Sequence, residues 1–325
     1  MSLRRLLLPM LAVLLVGCST VESPSPSAAL RPVTLLLGFQ PDVQFAPFYL
    51  AQQAGYFAEA GLDVTIEFKA SDELMRLVAN GQAEFGVADA TDVMIGRTAG
   101  IPVKYISTLY DHFPVALIGP AGSVPSDPAD LAGLRIGTPG KFGSSWHALL
   151  ALLDAGGLTA DDITIREYPQ FNQAEGLLNG DVDLITGFRN NEPLRLEAQG
   201  MSVDLLTVDE IAPLPGPGVI AGDDLLASDS LLASKFAGAV LQAQQAIADD
   251  PVVGLDAAVA AVPAIGEDRE TALNVLKATV ELWSQSGKIN LEVWTSGYDT
   301  LRRLGFIDGS VPLDAMTSDV IIRAL

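Results

Sequence analysis

Three stretches carry residues whose types and spacing could do chemistry: GFQPDVQFAPF from Gly38, GTPGKFGSSW from Gly137 and FRNNEP from Phe188. Phe39, Phe45, Phe142, Trp146 and Phe188 fall in them, and Tyr110 and Phe113 fall in a further loop, all close to breakers such as Pro41, Pro47, Pro114 and Gly143. Rings held in loops, rather than inside a strand or helix, suit the walls of a stacking site for a flat molecule. Phe48 and Tyr49 begin a helix, where core packing explains them equally well. Hydrogen-bonding groups are interleaved with the rings: Asp42, Gln44, Asp89, Thr91 and Asp92, then Ser144, Ser145, Asn190, Asn191 and Glu192. Ser144 or Ser145 is placed to cap the following helix and to meet a ligand there, and capping alone is the competing account. Residues 190–193 either form only a turn with Pro193 opening a helix, or present Asn190 and Glu192 to the donor and acceptor edge of a heterocycle.

Other chemistries find little support. The chain has two histidines, His112 and His147, far apart, and no HExxH, CxxC or GxSxG string, so no catalytic residue and no metal site is expected. The glycine-rich stretch 137–145 lacks both the GxxxxGK[ST] and the GxGxxG layout of a phosphate cradle. Arg189 is the arginine nearest these loops, and a sulfonate, nitrate or phosphate would want more charged forks than that. A mostly neutral, flat, hydrogen-bonding ring is the better match, bound as a ligand and not as a resident cofactor.

The elements that must hold these loops alternate. Short apolar runs at 33–37, 64–68 and 85–88 are separated by helical patterns at 48–60 and 72–80, which predicts a parallel sheet. From Leu134 the order returns, with strands at 134–137, 163–167 and 183–186 and helices at 146–155 and 173–179. The wording returns too: NGQAEFGVAD from Asn80 answers NGDVDLITGF from Asn179. A repeat about a hundred residues apart suits two similar α/β lobes around a cleft, although any two βαβ units share some likeness. The strand ends at Gly38, Asp89, Thr138 and Gly187 are then expected to open into one crevice. The boundaries drawn are 33–118 plus 215–325 for the first lobe and 119–214 for the second, joined by a two-stranded hinge. The helical tail from Ser228 is assigned to packing on the first lobe, including a stripe of Leu273, Leu276, Val280 and Trp283.

Forty acidic against 19 basic residues give a net charge of -21, which disfavours nucleic acid and anionic lipid as partners. Arg4 and Arg5 precede an apolar run at 6–16, too short for a stable span and laid out as a secretory signal over 1–17. LVGC, ending on Cys18, resembles the bacterial lipobox, and an ordinary signal peptide with an incidental cysteine is the alternative. Residues 18–32 read as a flexible tether, and a lone cysteine allows no intrachain disulfide.

Taken together, FAPFYLAQQAGYFAEAGLDV from Phe45, NGQAEFGVAD, GIPV from Gly100, DLAGLRIGTPGKFGSSW from Asp130, NGDVDLITGF and NNEP resemble the type II periplasmic-binding group of ABC-importer solute receptors. That group includes the riboflavin receptors and the receptors for thiamine-pyrimidine precursors. The resemblance implies a type II periplasmic-binding fold, an extracytoplasmic monomer lipid-anchored at Cys18, and permease and ATPase partners. Pyrimidine receptors usually carry a Trp, then Pro-Asn, then a His in the first loop, where this chain has Phe39, Pro41-Asp42 and Phe45; QFAPFY and GKFGSSW look more like the riboflavin receptors. Riboflavin or a related flavin is therefore favoured, stacked between Phe39 and Trp146, with a pyrimidine precursor as the alternative. The group also contains fungal enzymes that build the pyrimidine from their own histidine, and a ligand sensor without transport is a third class.

Overall fold

The computed structural model describes residues 29–69 and 71–318. Cys18, the expected signal segment and most of the expected tether lie outside the described residues. The chain opens with β1 (Arg31–Leu37), α1 (Ala46–Gln53), α2 (Tyr56–Glu59), β2 (Leu62–Phe68), α3 (Ser71–Ala79), β3 (Phe85–Ala88), α4 (Ala90–Thr98) and β4 (Val103–Thr108). There follow β5 (Val115–Pro120), β6 (Arg135–Thr138), α5 (Gly143–Ala155), β7 (Thr164–Glu167), α6 (Gln173–Leu178), β8 (Leu184–Phe188), α7 (Glu192–Ala198), β9 (Val203–Thr207) and α8 (Val208–Ile211). The last part holds β10 (Gly218–Gly222), α9 (Asp223–Ser228), α10 (Ser230–Asp249), α11 (Pro251–Ala261), α12 (Arg269–Val280) and α13 (Leu291–Arg303).

The strands form two five-stranded sheets, ordered β2-β1-β3-β10-β4 and β7-β6-β8-β5-β9. In each, three parallel strands are followed by one antiparallel strand in the fourth place, β10 in the first sheet and β5 in the second. Each reversed strand is the first to form after the chain crosses between lobes, so the two lobes are topological copies. Side-chain alternation explains why both faces are covered: Leu35 and Leu37 join the apolar cluster under α1, α10, α11 and α12, while Leu36 joins the one under α3, α4 and α13. The second sheet is sandwiched likewise, with α5 on one face and α6 and α7 on the other.

Several boundaries move. β1 begins at Arg31, two residues inside the expected tether, and residues 115–118 belong to the second sheet, not the first lobe. The chain therefore crosses at 109–114 and returns at 212–217, where Leu109 N and Tyr110 N donate to Pro217 O at 3.1 and 3.2 Å. The helix expected at 48–60 is broken at Gly55, whose φ of 85° is left-handed. Pro251 starts α11 instead of only ending α10, with Asp250 capping it by accepting from Val252 N at 3.0 Å. The tail also reaches the second lobe: the Phe306 ring meets His147 edge-on at 4.7 Å, and Arg303 lies 3.3 Å from Asp154.

Candidate functional site

The C-terminal ends of β1, β3, β6 and β8 converge, as parallel strand ends in two facing lobes must, and Gly38, Asp89, Pro139 and Gly187 at those ends line one cavity. Thr138 itself is buried behind it, its hydroxyl donating to Gly140 O at 3.3 Å. The cavity has a volume of about 160 Å³, roughly ten times what one buried water needs.

Ten of the residues singled out from the sequence line this cavity. From the first lobe come Phe39, Gln44, Phe45, Asp89 and Tyr110; from the second come Phe142, Ser144, Ser145, Phe188 and Glu192. Five do not. Asp42 is buried, holds the turn before α1 by accepting from Gln44 N at 3.1 Å, and pairs with Arg195 of the second lobe at 2.9 Å. Thr91 is buried against His147 Nδ1 at 3.0 Å. Asn190 is buried, its amide donating to Gln44 Oε1 at 2.7 Å and to Thr279 Oγ1 at 2.8 Å in the first lobe. Phe113 and Trp146 sit in the core of the second lobe with Val115, Leu117 and Leu149, so Trp146 is not the stacking partner of Phe39. Phe39 instead meets Phe171 directly, edge to face, with ring centroids 5.1 Å apart and the planes at 87°.

Three of the five displaced residues are thus ties between lobes, and Asp89 adds a fourth. α5 begins after Phe142, which has no side-chain acceptor to cap it, and neither Ser144 nor Ser145 is the cap. Asp89 Oδ2 reaches across from the first lobe and accepts from Ser144 N at 3.2 Å. An anion at a helix N-terminus is stabilised by the unpaired N–H groups and the helix dipole, so this carboxylate completes a helix of the other lobe.

Sequence reasoning missed Phe171, Gln173, Gln244 and Trp283, all of which line the cavity, and left Phe48 and Asn191 undecided. Phe171 has a φ of 58°, an uncommon conformation for a side-chain-bearing residue, in a turn closed by its N–H donating to Tyr168 O at 2.9 Å. Trp283 is buried in the first-lobe core, as the stripe predicts, and also reaches the cavity because α12 ends at Val280 and the next residues pair with the hinge, bridging Trp283 to Tyr110. The SQSG that follows Trp283 is the signal that the helix has stopped.

The cavity is aromatic and short of positive charge. Among the described residues its ionisable acids are Asp89 and Glu192, and no Lys, Arg or His lines it. Desolvation pushes Glu192 up to about 7, against the opposing effect of the Phe188 N–H, which donates to Glu192 Oε2 at 2.8 Å. Burial also raises Asp89, and raises Asp92 well above the usual carboxylate range, with the Asp89 charge adding to the latter. His147, buried beside them, is held down to about 4. Among the described residues no group of three metal-ligating side chains gathers, and no helix is long and apolar enough to cross a membrane.

Two copied α/β lobes closing on an aromatic cavity define a type II periplasmic-binding fold, the architecture of solute-binding proteins. The aliphatic sulphonate-binding protein SsuA of Escherichia coli shares it at a TM-score of 0.72, with 13% identity over 89% of this chain and 92% of that one. The chain belongs to the NMT1/THI5-like family, which it matches over residues 42–253. It is 30% identical to the riboflavin-binding protein RibY of Chloroflexus aurantiacus over 97% of this chain and 95% of the relative. A formylaminopyrimidine-binding protein of Halalkalibacterium halodurans is 25% identical over 84% of each chain. A 4-amino-5-hydroxymethyl-2-methylpyrimidine phosphate synthase of Uromyces fabae is 29% identical over 56% of this chain and 55% of its own.

Proposed function

We propose that this protein is an extracytoplasmic solute receptor that binds riboflavin or a closely related flavin between its lobes and delivers it to an ABC permease. The observation that carries the reading is the cavity itself: Phe39, Phe48, Phe142, Phe171 and Trp283 wall a space lined by two carboxylates and no cation. Such walls favour a large, flat, uncharged ring system over a small anion. The likeness to a riboflavin-binding protein over 97% of the chain supports the same choice.

Binding and closure form one event in this reading. A ligand between the rings favours the state in which Asp89 meets Ser144, Asn190 meets Gln44, and Asp42 meets Arg195, and that closed surface is what a permease would recognise. The lipid anchor at Cys18 and the secreted location remain part of the proposal.

A pyrimidine precursor is the second reading, favoured by the formylaminopyrimidine-binding relative. Turnover of the kind named for the fungal relative has no histidine to work with here. His112 is exposed and paired with Asp209, His147 is buried against Thr91, and neither lines the cavity. Thermal unfolding with each ligand in turn tests the assignment, since a molecule that binds only the folded state raises the midpoint. Riboflavin should raise it and the pyrimidine should not; the reverse order would replace the flavin reading with the second one.

A further inference from the structure

Two cavity residues stand outside the roles given so far, Gln173 on α6 of the second lobe and Gln244 on α10 of the first. Both are buried, at 2% and 4% exposure, and both line the cavity. Their amides are oriented by backbone carbonyls. Gln244 Nε2 donates to Leu109 O at 3.3 Å, and Gln173 Nε2 donates to Thr186 O at 3.2 Å with Glu192 Oε1 at 3.4 Å. A carbonyl oxygen can only accept, so in each side chain the nitrogen must face the backbone and the oxygen is turned away from it. Neither Oε1 has a hydrogen-bond partner within the protein, and each lies under the cavity wall with almost no surface open to it, so a ligand donor meets it only when the amide turns toward the cavity. A buried acceptor left without a donor is costly, and folded proteins keep such atoms mainly where something else completes them.

We infer that Gln173 and Gln244 set the specificity of the cleft, each accepting a hydrogen bond from a ligand N–H or O–H, one from either lobe. The inference rests on the cavity being the ligand site and narrows the class of ligand it takes. The molecule must carry donors at two separated points, and it must lack a phosphate or sulfonate at either, since no cation among the described lining residues would hold one and the nearby ionisable groups are the acids Asp89 and Glu192. Riboflavin has this pattern, with an imide N–H at one end of the ring and hydroxyl groups along its ribityl chain. One acceptor on each lobe also ties recognition to closure, because a ligand satisfying only one of them leaves the other unpaired in the closed form.

The test measures the affinities of riboflavin, 3-methylriboflavin, which lacks the imide N–H, and lumiflavin, which lacks the ribityl hydroxyls. Each is titrated into the parent, Gln173→Met and Gln244→Met. The parent should bind each analogue about tenfold or more weakly than riboflavin, as sites built around a hydrogen bond do when the donor is absent. In one variant the penalty for 3-methylriboflavin should fall to near one, and in the other the penalty for lumiflavin should fall likewise. Ratios of two ligands on one variant are insensitive to a reduced folded fraction, which lowers both affinities alike. Penalties unchanged in both variants would overturn the inference. If the parent binds no flavin, the flavin reading has failed. The same comparison then runs on 4-amino-5-hydroxymethyl-2-methylpyrimidine and its 4-dimethylamino analogue, where a penalty untouched by either substitution again overturns the role of the glutamines.

Discussion

The carboxylate of Asp89, at the end of β3 in the first lobe, accepts a hydrogen bond at 3.2 Å from the backbone N–H of Ser144 in the first turn of α5 in the second. The bond exists only while the lobes are together, so its worth falls wholly on closure. Loss of a helix cap costs about 0.5–2 kcal/mol, so Asp89→Ala should weaken ligand affinity by about two- to thirtyfold. A titration beside small-angle scattering of the free and bound forms checks this. Unchanged affinity and unchanged compaction would remove Asp89 from the closing mechanism.

The other ties should rank by burial. Asn190 is buried and its amide joins Gln44 and Thr279 at 2.7 and 2.8 Å, so Asn190→Ala strands buried partners at a cost of about 1–3 kcal/mol. Arg195 pairs with Asp42 at 2.9 Å; the arginine is 46% exposed although Asp42 is buried, and Asp42 also accepts from Gln44 N, so Arg195→Ala should cost less than Asn190→Ala and fade with added salt. Affinities of both variants at low and high salt establish the order; a larger loss from Arg195 would contradict it.

Glu192 makes stability depend on pH. Folding lifts its carboxyl from 4.5 to about 7, so between those values the folded chain holds a proton that the unfolded chain has released. Stability therefore falls as pH rises through that window, by at most about 1.4 kcal/mol per unit, and this contribution is level above it. Asp89 and Asp92, also raised, act in the same sense. His147, lowered from 6.5 to about 4, acts oppositely between those two values. Comparing urea unfolding of the parent and Glu192→Gln isolates the one group, and the parent should lose ground to the variant from about pH 5 to 7. A constant difference would contradict the assignment.

The hinge has room for glycine alone at one point. A Cβ at Gly216 would lie 2.4 Å from Tyr110 O, a backbone atom of the opposite crossing segment that cannot rotate away. Gly216→Ala must push the two segments apart and strain the donation from Leu109 N and Tyr110 N to Pro217 O. We expect about 1–3 kcal/mol of lost stability in urea unfolding, together with altered opening. A variant as stable as the parent would mean that the crossings do not pack as described.

The two lobes were legible because each rests on local patterns repeated in sequence, short apolar strands with NG turns and helices between them. The first-lobe wall of the cavity was legible for the same reason, since Phe39 and Phe45 sit in a loop at a strand end. Cross-lobe pairings were not. Asn190 and Gln44 are 146 residues apart and meet only through closure, so a polar residue facing a cleft could not be told from one bonded across it. Trp146 was misplaced because helix α5 starts at Gly143, which turns the tryptophan into the second core and leaves Phe142 at the cavity. Gln173 and Gln244 carry no local signal at all; each lies on a helix whose pattern says only that one face is buried.

Flavin binding is tested most directly by titrating riboflavin into the purified protein while following both flavin and tryptophan emission. The cavity predicts one flavin per chain, quenched by the surrounding rings, and a tryptophan response that Trp283→Phe reduces more than Trp146→Phe does. No change in either signal up to about 100 μM riboflavin, a concentration that would reveal any affinity stronger than roughly −5 kcal/mol, would contradict the flavin receptor.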